Sequence, residues 1–335
     1  MEPPRNLLEL DRLSLRLERE GESARVVDEV SWGVAPSGAI GIVGESGCGK
    51  SLQALAIMRL LPRPAVHFDG GRILLGGEDI VGIDSESMRR VRGNRIAMVF
   101  QEPMTSLNPV FTVGEQVAEV LREHGGLSRR EAAERAIELL DETGIDRPRE
   151  RARQIPQELS GGMRQRVMIA MALAGDPEVL LADEPTTALD VTVQAQILDL
   201  LDRLRRERGM AVVLITHDLA LVAGRCDQVA VMYAGRIVER APTASLFGRP
   251  SHPYTLGLLA CRPRLGAGHG ILPTIGGQVT DPVDRPSGCA FHPRCPFAQE
   301  RCAVETPRLE TSSAGHAVAC FETERVSQAG RWPDV

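Results

Sequence analysis

The run AIGIVGESGCGKS, Ala39 to Ser51, restricts this chain more than any other stretch. An apolar segment feeds a glycine-rich loop, and a helical pattern starts at Lys50. Strand, loop and helix in that order make a cradle of backbone amides for phosphate, and a fold that contains it needs strands covered by helices. Of the 39 basic side chains one is lysine, Lys50, and the rest are arginine. An ammonium on a thin stem fits between the β- and γ-phosphates of a nucleotide, whereas the flat fork of arginine does not suit a closed bowl. The lone lysine therefore marks a position where guanidinium will not serve. Matching G-x-x-x-x-G-K-[ST], the loop assigns Gly44, Glu45, Ser46, Gly47, Cys48, Gly49, Lys50, Ser51 and the following Leu52 to nucleotide binding. Lys50 would neutralise the β/γ oxygens and Ser51 would offer its hydroxyl to Mg²⁺.

With 335 residues, 43% of them apolar and 25% charged, the chain can build one large α/β domain and a smaller appendage. The longest apolar stretch, Val167 to Ala174, is far short of the ~20 residues of a membrane helix. The opening MEPPRNLLELD has neither the basic nor the apolar part of a signal peptide. The chain is expected to stay in the cytosol and to reach a membrane only through a partner. A net charge of −6 and 3% aromatic residues argue against nucleic acid as a partner.

Leu7 to Glu18 and Arg25 to Val34 read as strands around a polar turn at Glu20 to Ser23. A helix over Lys50 to Leu61, a glycine-punctuated hairpin at Gly70 to Ile80 and a strand in RIAMVF, Arg95 to Phe100, follow. From Thr112 the period is helical, with Ser128 and Glu131 forming a capping box, and this block is an insertion over about 102–158. The α/β pattern resumes with VLLAD (Val179 to Asp183), a helix over Val191 to Arg208 and AVVLITH (Ala211 to His217). Beyond about Pro250 the composition turns to Pro, Gly and Cys, which divides the chain into 1–250 and 251–335.

VLLADEP sets two carboxylates at the end of an apolar strand. Asp183 is placed to hold Mg²⁺ and Glu184 to take the proton of an attacking water. An isolated acidic pair after a strand is more often a solvated turn; the upstream loop and downstream THD favour catalysis. In ELSGGMRQRV, Ser160, Gly161 and Gly162 open a helix, so a hydroxyl and unobstructed amides face an anion.

This last stretch resembles the signature of ATP-binding-cassette ATPases, and the rest of a cassette follows in order. The resemblance implies a P-loop fold with a RecA-like parallel core, an N-terminal antiparallel β subdomain and an inserted helical subdomain. It also implies that Gln101 senses Mg²⁺ and water, that Asp190 in TTALD reaches across a dimer, and that His217 contacts the γ-phosphate. Catalysis would rest on Lys50, Gln101, Glu184 and His217, and Mg²⁺ on Ser51, Gln101 and Asp183. A partner's signature would close the open face of the nucleotide, so two ATPase subunits are needed. VFQEPMTSLNPVFTVGEQ, LSGGMRQRVMIAMALAGDPEVLLADEPTTALDVTVQAQIL and SHPYTLGLL narrow the resemblance to the oligopeptide/dipeptide/nickel importer subfamily, over nearly the whole chain. That implies a peripheral ATPase subunit on the cytoplasmic face of the cell membrane. Its implied partners are two permeases, a related ATPase subunit in a heterodimer and, through the permeases, an extracytoplasmic substrate-binding protein. Peptides are the expected cargo, with nickel or another small solute as runner-up. A cassette acting on DNA or ribosomes and an accessory, non-transport cassette are the competing classes.

Three positions depart from the pattern. Leu17 stands where relatives stack an aromatic residue on adenine, so that contact is apolar only; Met163 replaces a common glutamine; Ile155 occupies a position often tyrosine. Of seven cysteines, Cys48, Cys226 and Cys261 read as small buried hydrophobes, with a lowered pKa at Cys48 as the lesser alternative. Cys289, Cys295, Cys302 and Cys320 lie in a loop-rich region with little apolar material. Disulfides are rare in a reducing cytosol, and zinc usually shows a tight C-x2-4-C pair that is missing here. The wide spacing favours an iron–sulfur cluster and the subfamily resemblance implies 4Fe-4S, with zinc and four unliganded thiols as alternatives.

Overall fold

The computed structural model describes residues 6–19, 21–102, 106–187, 189–261, 273–312 and 315–332. Glu20 of the expected turn, Pro103 to Thr105 of the QEPMTSLNP stretch, Ala188 of TTALD and residues 262–272, 313–314 and 333–335 of the tail lie outside them. Among the described residues the chain begins with β1 (Leu8–Arg19), β2 (Glu22–Val34), β3 (Ala39–Val43), α1 (Lys50–Ile57), β4 (Val66–Leu75), β5 (Glu78–Asp79), α2 (Ser85–Val91) and β6 (Ile96–Val99). It continues with α3 (Val113–Gly125), α4 (Arg129–Glu142), α5 (Pro148–Arg151), α6 (Gly161–Leu173), β7 (Val179–Asp183), α7 (Val191–Arg208) and β8 (Ala211–Thr216). The last part holds α8 (Leu219–Val222), β9 (Gln228–Tyr233), β10 (Arg236–Pro242), α9 (Thr243–Gly248), α10 (Pro253–Ala260), α11 (Glu300–Val304), β11 (Glu310–Thr311), β12 (Ala317–Val318) and α12 (Thr323–Ala329). Among the described residues no helix is long and apolar enough to cross a membrane.

These elements form two compact units. The first takes in Met1–Leu8, Val34–Gly38 and Leu75–Ile215, and the second Glu9–Gly33, Ala39–Leu74 and Thr216–Val335. In the first unit β6 pairs parallel with β7, and β7 with β8. Every residue of β6 and β7 is buried, as a strand covered on both faces requires. The helical insertion is amphipathic: Val113, Val117 and Leu121 of α3 and Ala132, Ala136, Leu139 and Leu140 of α4 are buried at helical spacing. These faces pack on each other and on α6, which in turn lies against β6. Both bonds of the Ser128–Glu131 capping box are present, a device that contributes about 1 kcal/mol.

In the second unit β3 pairs parallel with β9, while β10 is antiparallel to β9 and β12 antiparallel to β10, so the sheet is mixed. The expected N-terminal antiparallel subdomain is present as a separate sheet in which β1 lies between β2 and β4. β12 belongs to the tail, which thereby extends the edge at β10 rather than hanging free.

One expectation shifts for a local reason. α1 stops at Ile57 rather than Leu61 because Arg59 turns left-handed (φ +50°). Leu60 N–H then donates to Leu55 C=O at 2.7 Å and Arg59 N–H to Ala56 C=O at 2.9 Å, the bonding of a Schellman stop without its usual glycine. The hairpin expected over Gly70 to Ile80 turns at Gly76 and Gly77 (φ +61° and +89°), while β4 runs through Gly70 and Gly71. Gly71 is required there because a Cβ would fall 2.3 Å from the Arg12 carbonyl oxygen.

The SHPYT segment is fastened by a buried carboxylate. Glu239 is 0% exposed. It accepts from Ser251 N–H at 2.7 Å and His252 N–H at 3.0 Å, and pairs with His316 Nε2 at 2.6 Å. His252 caps α10 by accepting the Tyr254 N–H at Nδ1, 3.1 Å away. Burial lowers its pKa to about 4, against the opposing pull of Glu239. Between about pH 6.5 and 4 the unfolded chain therefore takes up a proton that the folded one refuses, and stability falls with falling pH by on the order of 3 kcal/mol. His252→Asn, which keeps an acceptor and cannot titrate, should flatten this part of a denaturation-versus-pH series. An unchanged slope would show that His252 is not its source.

Candidate nucleotide-binding site

The glycine loop belongs to the second unit. Its strand, β3, is buried throughout, so the chain emerges at Gly44 with no freedom to shift. A Cβ on Gly44 would lie 2.4 Å from Met232 O and one on Gly49 2.7 Å from Val26 O, so both positions need glycine for closeness. Gly49 is also left-handed (φ +97°), as is Gly47 (φ +81°), which meets nothing within 4 Å and needs glycine for conformation alone. Ser46 and Gly47 form the exposed tip, Glu45, Ser51 and Leu52 are half-buried, and Cys48 and Lys50 are buried. Lys50 Nζ donates to Gly44 O at 2.8 Å and Glu45 O at 2.9 Å, and lies 3.9 Å from Cys48 Sγ. All three partners are uncharged. A 4% exposed ammonium with neutral partners leaves a positive charge that an anion can compensate.

Burial pushes the Cys48 thiol pKa up, against the opposing charge of Lys50, which removes the lowered-pKa alternative. Leu17 is half-buried on β1. His217 is exposed directly after β8, and the next residue, Asp218, caps α8 through Ala220 N–H at 2.7 Å.

The acidic pair belongs to the first unit. Asp183 ends β7 with 4% exposure and Glu184 has 9%. Glu184 adopts a left-handed backbone (φ +43°), fixed by its N–H donating to Ile215 O at 2.9 Å. A glutamate there costs of order 1–3 kcal/mol, and such strain concentrates at functional sites. Its Oε2 accepts from Thr187 Oγ1 at 2.9 Å and from Gln101 Nε2 at 3.3 Å. The structure thus brings Gln101 and Glu184 together within this unit. Asp190 caps α7, accepting from Thr192 and Val193 N–H, and Ser160 caps α6, accepting from Met163 N–H. Gly162 is needed beside α7, since a Cβ would meet Val193 Cγ1 at 2.7 Å. Ser160 and Gly161 are exposed, so the start of α6 is open to an anion from outside.

Cys289, Cys295, Cys302 and Cys320 line one small cavity in the second unit, with His252 and Phe291. Burial, with the neighbouring cysteines adding to it, pushes Cys295 and Cys320 up to about 12. Among the described residues no group of three His, Cys, Asp or Glu side chains is placed to hold a metal ion. The four thiols surround a small space.

Three participants escaped the sequence reading. Thr187 orients Glu184, and its only signal was its place three residues downstream in a turn. Tyr254 Oη accepts the Glu45 N–H at 2.9 Å, and the Arg294 guanidinium pairs with the Glu45 carboxylate at 3.0 Å. Tyr254 lay inside the SHPYT motif, but nothing in one dimension joins it to the loop.

Residues 27–187 match the ABC transporter family, and residues 238–302 match the family described as the oligopeptide/dipeptide transporter C-terminal region. The chain is 50% identical over 332 residues to a putative peptide import ATP-binding protein of Brucella abortus, covering 96% of this chain and 98% of that one. It is 49% identical over 321 residues to a probable peptide ABC transporter ATP-binding protein of Sinorhizobium fredii, covering 96% of each. Among solved structures it resembles an ATP-binding cassette dimer in a post-hydrolysis state with ADP and Pi (TM-score 0.63, 28% identity, 70% of this chain and 98% of that chain). A component of an ABC transporter complex from Clostridium perfringens is also similar (TM-score 0.60, 26% identity, 72% of this chain and 90% of that chain).

Replacing Gly49 with alanine should cost about 2 kcal/mol or more, since strain and the Val26 clash combine. Chemical denaturation measures this, and a variant as stable as the parent would contradict the loop geometry.

Proposed function

Since the chain belongs to the ATP-binding subunits of ABC transporters, in their oligopeptide/dipeptide branch, we propose that it hydrolyses ATP to power peptide import through a pair of membrane permeases. The observation that carries this reading is the pairing of a phosphate loop and an oligopeptide-type C-terminal region in a chain alike over 96% of its length to a putative peptide import subunit.

Lys50 releases its loop carbonyls and takes the β/γ oxygens of ATP instead. Ser51, Gln101 and Asp183 supply hydroxyl, amide and carboxylate oxygens, the hard donors that Mg²⁺ prefers. Bound there, Mg²⁺ would offset charge on the phosphates. Glu184, aimed by Thr187 and Gln101, accepts the proton of the attacking water, and His217 contacts the γ-phosphate. Gly44 to Leu52 wrap the nucleotide and Leu17 gives an apolar contact to the base. Ser160, Gly161, Gly162 and Asp190 serve the partner subunit's nucleotide. The exposure of the α6 start and of Val191 (81%) beside Asp190 supports such a second ATPase subunit. Exposed Phe100, Val110 and Phe111, ahead of α3, support docking on permeases at the cytoplasmic face of the membrane. An extracytoplasmic binding protein would deliver the cargo. We keep the division at residue 250 and the heterodimeric partner as parts of the same proposal.

Four thiols around one cavity also support a 4Fe-4S cluster over zinc, because zinc requires its ligands within about 2.3 Å of a single point. Burial pushes the thiols of Cys289, Cys295 and Cys320 up, and a cluster's iron would offset the cost of four thiolates. Its role here is to tie a loop-rich tail together. Protein purified without oxygen should absorb visible light; a colourless preparation lacking iron would remove the cluster.

The assembled transporter, reconstituted in vesicles with its binding protein, should hydrolyse ATP faster when peptide is supplied outside. No stimulation by peptides, with stimulation by nickel, would move the assignment to the metal. Glu184→Gln should lower turnover by roughly 100-fold or more while ATP still binds, and Lys50→Arg should abolish binding. Unchanged hydrolysis in the first, or retained affinity in the second, would refute these roles.

A further inference from the structure

Three side chains hold Glu45, beside a 3.4 Å bond from the Cys48 N–H to its C=O. Its C=O accepts from Lys50, its N–H donates to Tyr254 Oη and its carboxylate pairs with Arg294. Arg294 comes from the turn between Cys289 and Cys295, and its side chain is 6% exposed. Its Nε donates to Gly276 O at 2.8 Å, and its other nitrogens reach Ile275 O and Tyr233 Oη, both at 3.3 Å. The guanidinium also faces the rings of Tyr233 and Phe291, 5.7 and 6.0 Å from their centroids. Phe291 stacks edge-on against Tyr233 and lines the cysteine cavity. One continuous set of contacts therefore runs from the cysteine turn to the second residue of the phosphate loop.

We propose that Arg294 is a positioning residue for nucleotide binding, through which the cysteine-bearing turn sets the shape of the phosphate loop. The inference rests on the nucleotide reading of that loop. Lys50 must leave the Gly44 and Glu45 carbonyls when a phosphate arrives, and the peptide between them then loses that restraint. Tyr254 and Arg294 are the side-chain contacts that still hold it. With them the loop keeps its form as the ammonium moves; without them it pays the ordering entropy at each binding event. An arginine suits the post because its fork can serve a carboxylate, a phenol and two carbonyls at once, in one buried plane.

The test is calorimetric titration of the full-length chain with MgATP, run beside thermal unfolding. Arg294→Ala and Glu45→Gln should each weaken binding roughly tenfold, and the double variant should be no worse than the poorer single one. Arg294→Lys should recover part of the loss through its charge. Additive losses, or a folded Arg294→Ala protein with the parent's affinity and only a lowered melting temperature, would overturn the proposal. If Arg294→Ala does not fold, Glu45→Gln decides alone: parental affinity there refutes the coupling. A parent chain that takes up no MgATP would overturn the nucleotide reading itself, whereas a binding parent beside unaffected variants defeats only this inference.

Discussion

A buried ammonium resting on two carbonyls of its own loop is the constraint around which the second unit is built. Lys50 cannot be hydrated where it lies, so the chain must supply its partners, and it does so by folding Gly44 and Glu45 back over it. That fold-back places Gly44 against the Met232 backbone and Gly49 against Val26, where no side chain fits. β3 and β9 must then run side by side to bring Met232 there, and the register Val43 to Val231 does so. The charge requirement of one side chain is thus met by the position of two strands.

The first unit solves a different problem, that of holding one carboxylate in a fixed direction. Glu184 sits at the end of a strand whose every residue is buried, with a backbone angle most residues avoid. The strain is held by a main-chain bond to Ile215, on the neighbouring parallel strand, so the sheet itself enforces it. Thr187 and Gln101 then choose the direction of the side chain.

Legibility followed the range of the interaction. Where a motif is local, the sequence sufficed: VLLAD is β7 to the residue, Val191 to Arg208 is α7 to the residue, and the Ser128 box forms as written. Where a helix end depended on a left-handed arginine, as at Arg59, local pattern misled by a few positions. Contacts between distant segments were silent. Glu45 and Arg294 are 249 residues apart, and an arginine among cysteines looks like solvated surface until the fold encloses it. The cysteines were recognised as a set, but their spread around a cavity is a property of three dimensions.

Glu239 has one more implication. Its carboxylate receives two amides from Ser251 and His252 and a ring nitrogen from His316, all supplied by chain that follows β10. Trimming the protein to a minimal cassette ending before residue 250 would strip that buried side chain of these three partners, and would remove Tyr254 and Arg294 at the same stroke. The region that looks like an accessory is in this sense part of the foundation, and a shortened catalytic fragment would be a poor stand-in for the enzyme.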